Sequence, residues 1–190
     1  MFAGAATGRP EFRNLNGGNP MRFVDRLCGV IDAFTDKQGK IASWIAIPMV
    51  ITLVYEVIAR YAFNAPTRWS YDVTYMIYGS HYLLGAAFAL LYRVHIRIDV
   101  IYGLFPVRVR QFIDVIGYLF FFFPVVIILA LSGISLASDA YRSGEVSQFS
   151  PWAPILWPYK SIIALAFVLL FLQGISEFLR AVVIFVRGDK

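Results

Sequence analysis

Long apolar blocks, each closed by a knot of charged, glycine or proline residues, set the organisation of this chain. A helix of about 20 mainly apolar residues crosses the hydrocarbon of a bilayer. Four segments reach that length: Ile41 to Phe63, Trp69 to Tyr92, Phe112 to Ser138 and Trp157 to Val186. The last two exceed the minimum, which predicts tilt or extension beyond the lipid. Pro124 is expected to kink the third, because proline removes a backbone donor and crowds the preceding turn. Trp44, Tyr61, Trp69, Tyr92, Trp152, Trp157 and Tyr159 stand near the predicted ends, and indole and phenol rings prefer the headgroup zone.

A different pattern fills residues 21–36. Phe23, Leu27, Val30, Ile31 and Phe34 recur at helical spacing, while Arg22, Asp25, Arg26, Asp32 and Asp36 cover the rest. The spacing predicts an amphipathic helix along the membrane surface, with packing on a partner protein as the alternative. Residues 1–20 carry Arg9, Glu11 and Arg13 and have no apolar core of useful length. They read as a disordered tail and not as a secretory signal. The expected fold is an all-α integral membrane protein with four transmembrane helices and an N-terminal amphipathic interfacial helix, residues 21–190 forming one membrane domain.

Composition agrees with this. Hydrophobic residues make up 59% of the 190 and charged ones 15%, whereas a soluble domain has roughly 45–50% and about 25%. The net charge of +5 does not point to nucleic acid, because the basic residues flank apolar runs instead of forming a stripe. They set orientation. Six fall before the first span (Arg9, Arg13, Arg22, Arg26, Lys37, Lys40), four between the second and third (Arg93, Arg97, Arg108, Arg110) and three at the end (Arg180, Arg187, Lys190). Only Arg60, Arg68, Arg142 and Lys160 lie on the other side. Thirteen of 17 thus predict cytoplasmic termini, with Asn64–Arg68 and Asp139–Pro158 facing outward. Cys28 is alone, so no internal disulfide can form.

The candidate chemistry is sparse. Glu56 and Arg60, four apart, can pair near the outer end of the first span. Asn64 and Pro66 break that helix, Ser70 is placed to cap the next, and Asp72 falls in its first turn, where a carboxylate complements the helix dipole. That corner is either a fixed docking surface or a well-capped hairpin. The run His95-Ile96-Arg97-Ile98-Asp99 alternates polar and apolar residues, and with no nucleophile or second acid nearby it reads as an anchor. His81 stands near the middle of the second span, where an ionisable group is costly; a neutral imidazole bonded to a neighbouring helix is the plain reading. Haem would need two axial ligands at comparable depth, which His81 and His95 do not offer. Tyr71, Tyr75, Tyr78 and Tyr82 form a stripe on the same helix, beside Gly79, Ser80, Gly85, Ala86, Ala87 and Ala89, small residues that admit close helix packing. The loop from Ser147 to Lys160 is stiffened by prolines and rich in aromatic residues.

Taken in order, Arg60-Tyr61-Ala62-Phe63-Asn64 with Trp69 and Asp72, then His95 to Asp99, then Ser150-Pro151-Trp152-Ala153-Pro154 with Trp157-Pro158-Tyr159-Lys160, the chain resembles the small membrane subunit of tripartite ATP-independent periplasmic (TRAP) transporters. The resemblance covers about Met21 to Arg187. Members more usually carry two adjacent acids where this chain has Tyr71-Asp72. The resemblance implies a bacterial inner-membrane importer of organic acids, driven by sodium. A periplasmic solute-binding protein delivers the solute, a large permease subunit moves it, and the small subunit braces the large one without catalysis or cofactor. Interface roles follow from it: Arg60, Arg68, Asp72, Trp152 and Trp157 on the outer face, His95, Arg97 and Asp99 at the inner corner, and Tyr75, Tyr78, Gly79 and Tyr82 against the large subunit. The competing reading is a self-sufficient four-helix porter acting as a homodimer, with Glu56 or His81 carrying protons; a third is the membrane anchor of a redox enzyme.

Overall fold

The computed structural model describes residues 22–92 and 107–187. His95, Arg97 and Asp99 lie outside the described residues, as does the N-terminal tail. Regular structure among the described residues is helical, apart from one isolated antiparallel bridge between Val146 and Ile155.

Helix α1 spans Arg22–Trp44 and α2 spans Ala46–Ala62. They meet at a one-residue step, Ile45. Pro48 accounts for the step: it has no N–H to offer the Trp44 carbonyl, and its ring crowds the turn before it. The Ile45 N–H bonds instead to the Ala42 carbonyl, three residues back, at 3.1 Å. The expected surface helix and first span are therefore successive parts of one run, Val24–Ala62, of 39 residues. At 1.5 Å per residue that is about 58 Å, roughly twice the hydrocarbon thickness. The face of α1 that packs inward is small or polar, with Cys28, Thr35, Gly39 and Ala42 buried, while Val30, Phe34 and Ile41 are exposed. Gly39 is required there, since a Cβ would overlap the Phe88 ring.

Helix α3, Ser70–Leu91, begins after Trp69, and no side chain caps it. Ser70 does not act as the cap that its position suggested; it is the first helical residue and is buried. Helix α4 covers Val107–Gly117, a π-helical turn covers Tyr118–Phe122, and α5 covers Phe123–Ser143. The kink expected at Pro124 takes the form of this π turn. The Phe123 N–H bonds to the Tyr118 carbonyl, and the widened turn makes room where the proline ring would crowd a regular one. The third helical run is longer at both ends than the pattern indicated and stops at Gly144, whose φ of 63° is the left-handed conformation that favours glycine.

Helix α6, Trp157–Arg187, is the spine against which α1, α3, α4 and α5 pack. Small residues allow the approach. A Cβ on Gly133 of α5 would lie 3.2 Å from the Ala164 backbone, and one on Gly79 or Gly174 would overlap Tyr159 or Phe122. Ala164, Ala166 and Ala181 are buried along α6, together with Gln173 and Ser176.

Among the described residues, three helical runs are long and apolar enough to cross a membrane: Val24–Ala62, Val109–Ser143 and Trp157–Val186. Helix α3, at 22 residues, has the length as well, with its polar residues, among them Asp72, Ser80 and His81, set between Ser70 and Tyr82. Exposed side chains on α2 and α5 are mostly aliphatic, among them Val50, Ile51, Val57, Ile128, Leu131 and Ile134. In water such a surface would be unstable; in lipid it is the expected one.

Candidate functional site

Three polar clusters stitch the helices together at different depths. At the outer corner, Glu56 of α2 accepts from Arg60 Nε at 3.0 Å, one helical turn on, as the spacing indicated. Its second carboxylate oxygen accepts the Thr67 backbone N–H at 3.2 Å and the Thr67 hydroxyl. Glu56 thus holds the turn between α2 and α3 as well as its own helix. That turn passes through Asn64 at a φ of 51°, and Tyr55 stacks on Trp69 across it, centroids 5.8 Å apart.

Asp72 holds a second outer element. Its carboxylate is fully buried and accepts from the hydroxyls of Ser147, at 2.6 Å, and Ser150. Both serines belong to the connection between α5 and α6, so a first-turn residue of α3 fixes a loop 75 positions away. The loop is closed on itself by Ser147 N–H to the Pro154 carbonyl at 2.8 Å and Leu156 N–H to the Glu145 carbonyl at 2.9 Å. Phe149 lies over Tyr71 and Tyr75, and Lys160 pairs with Glu145. Net contributions of about 1.5–3 kcal/mol are typical of each hydrogen bond to a charged group, so two such bonds hold the loop firmly.

Midway along α3, His81 Nδ1 lies 2.9 Å from the Ala42 carbonyl of α1. A carbonyl only accepts, so Nδ1 carries the proton and donates. This is the neighbouring-helix bond of the plain reading, next to the step at Ile45.

The third cluster, toward the opposite end of the bundle, joins α1 to α6. Asp32 accepts from Gln173 Nε2 at 3.1 Å, from the Ser176 hydroxyl at 3.0 Å and from Arg180 Nη2. Arg180 also donates to Glu177 at 2.8 Å, and the Cys28 thiol reaches the Ser176 carbonyl. Nearby, Asp36 accepts the Tyr92 hydroxyl at 2.6 Å and pairs with Lys40 at 2.7 Å, while Gln38 donates to the Leu84 carbonyl. Pattern reading missed the Asp32 cluster. It treated Arg180 as an orientation charge and Asp32 as the wet side of a surface helix. The available signal was polar Gln173, Ser176, Glu177 and Arg180 recurring at three- and four-residue steps, one face of an otherwise apolar helix.

The other expected interface residues divide clearly. Arg60, Arg68, Trp152 and Trp157 are exposed, Trp157 being edge-on to Tyr141 at 5.6 Å. Tyr75, Tyr78 and Tyr82 are exposed on α3. Asp72 and Gly79 face inward, onto the Ser147–Ser150 segment and Tyr159. The structure brings Asp72 together with the loop carrying Trp152; it does not bring Arg60 and Arg68 onto Asp72.

No curated protein matches this chain. The family model described as tripartite ATP-independent periplasmic transporters, DctQ component, matches residues 49–183, from early α2 nearly to the end of α6. With most of the chain matched, including the Glu56 turn, the Asp72 corner and the α6 side of the Asp32 cluster, the protein belongs to the DctQ family and is the small membrane subunit of a TRAP transporter.

Proposed function

We propose that the chain is the static scaffold of a sodium-driven importer of organic acids in the bacterial inner membrane. In this reading it crosses the membrane four times with both termini cytoplasmic, braces the large permease subunit and helps dock the periplasmic solute-binding protein. One observation carries the scaffold role: the ionisable groups placed within the bundle are engaged in fastening one segment to another. His81 joins α3 to α1, Glu56 holds the outer turn, Asp72 holds the outer loop, and Asp32 with Arg180 joins α1 to α6. A proton carrier must exchange protons and change partners during each cycle. Glu56 and His81, which the homodimeric porter reading needs, are instead tied to backbone groups of their own chain. The positive-inside bias supports the orientation, and the exposed Trp152 and Trp157 beside a fixed loop support docking at the outer corner. Sodium coupling and the organic-acid class rest on the family resemblance.

The test is uptake in proteoliposomes. This chain alone should transport nothing, and co-reconstitution with the large subunit and binding protein should give sodium-dependent uptake. Glu56→Gln and His81→Gln should each leave the complex active. Transport by the isolated chain, abolished by either change, would overturn the scaffold reading in favour of the porter.

A further inference from the structure

The outward face of α3 differs from every other exposed face of the bundle. Tyr71, Tyr75, Tyr78 and Tyr82 follow at steps of four, three and four, so they form one stripe along the helix. Gly85, Ala86 and Ala89 continue it; a Cβ built on Gly85 meets nothing within 4 Å. Tyr78 and Tyr82 are 57% and 69% exposed, their rings stacked at 6.3 Å with 21° between planes.

Depth makes the exposure informative. Helix α3 has 22 residues, about 33 Å, close to the thickness of the hydrocarbon. Tyr82 stands about 20 Å along it from Trp69 and about 15 Å from Tyr92. A phenol reaches only about 6 Å from its backbone, so its hydroxyl cannot snorkel to either headgroup zone. A hydroxyl in hydrocarbon without a partner is costly. Helices α2 and α5 expose mostly aliphatic side chains, with single tyrosines at Tyr55, Tyr61 and Tyr141 and no stripe of them. Asp72 and His81, on the inward side of α3, have partners within this chain, the first in two serines and the second in the Ala42 carbonyl.

We propose that the Tyr78–Tyr82 face of α3 packs on a transmembrane helix of the large permease subunit that presents hydrogen-bond acceptors at mid-membrane depth and fits against the Gly85–Ala89 notch. Helix α3 is then covered by protein on its outward face as well as on the side that packs on α1 and α6. Membership of the DctQ family supplies a large membrane partner, and a helix of that partner bearing carbonyl or amide acceptors satisfies both hydroxyls. This proposal rests on the scaffold reading and adds the face through which the bracing occurs.

The experiment places photoreactive p-benzoylphenylalanine at position 82, at position 78, or at position 128 on the aliphatic face of α5, in the complex with the large subunit in native membranes. Positions 78 and 82 should cross-link to the large subunit and position 128 should not. In parallel, Y78F/Y82F keeps both rings and removes both hydroxyls; recovery of the large subunit on the tagged chain should fall about sevenfold, and Y78A/Y82A should lower it by roughly tenfold or more. Cross-links from 82 to lipid only, or to a second copy of this chain, overturn the proposal, as does unchanged recovery with Y78F/Y82F. If the subunits co-purify but join through position 128, the α3 face is wrong and the scaffold survives. If they do not associate at all, the scaffold reading itself fails.

Discussion

Replacing Asp32 with alanine removes the acceptor shared by Gln173, Ser176 and Arg180. The Arg180 side chain is 7% exposed and that of Asp32 20%, so the pair is largely screened from water and its rupture belongs with buried ion pairs, which cost about 3–5 kcal/mol when one partner is deleted. Arg180 keeps Glu177 as a counter-charge, which places Asp32→Ala near the lower end, about 3 kcal/mol. Arg180→Ala leaves Asp32 and Glu177 without their shared cation and should cost more, about 4–5 kcal/mol. The two changes remove the same interaction once, so the double variant should fall short of additivity by about 2 kcal/mol. Reversible unfolding in mixed detergent micelles, followed by circular dichroism and tryptophan fluorescence, measures all four corners of the cycle. Additivity within about 0.5 kcal/mol would show that Asp32 and Arg180 do not interact, and the fastening of α1 to α6 would have to lie elsewhere.

Asp72→Ala should free the outer loop: destabilisation of about 3–6 kcal/mol from two lost hydrogen bonds to a charged group, with protease cutting and hydrogen exchange rising between residues 145 and 156. Gly79→Ala should cost about 1–3 kcal/mol because its Cβ meets the Tyr159 hydroxyl; adding Tyr159→Phe removes that atom and should restore much of the loss, measurable as a recovered melting midpoint in detergent. His81→Leu should cost about 1 kcal/mol, the worth of one hydrogen bond, and leave uptake by the assembled transporter within a few-fold of the parent.

Helices with a strong one-dimensional signal were readable from the chain. The fourth span ends within a residue of its expected limits, and Pro124 marked the place of the π turn. What escaped was information about which face meets which neighbour. The stripe Leu27–Val30–Phe34 is real, but whether a stripe faces lipid or the bundle depends on the surroundings; in a membrane the small and polar side is the one that packs. Cys28, Asp32, Thr35 and Gly39 therefore face inward. Pro48 is not marked as a break by hydropathy, because the residues around it, from Trp44 to Ile51, are apolar. At the outer corner the Glu56–Arg60 pair followed from spacing alone, whereas the Asp72–Ser147 contact joins residues 75 positions apart, beyond any local rule.

Asp32 lies 148 positions before Arg180, and α6, against which most of the bundle rests, leaves the ribosome after the other described helices. At about 5–20 residues per second, the carboxylate emerges roughly 7–30 seconds before its guanidinium. For that interval the nascent helices have neither their counter-ion nor their spine. The bundle of described helices therefore closes only after α6 has emerged, and a message cut short before α6 would leave inserted helices with nothing to gather around.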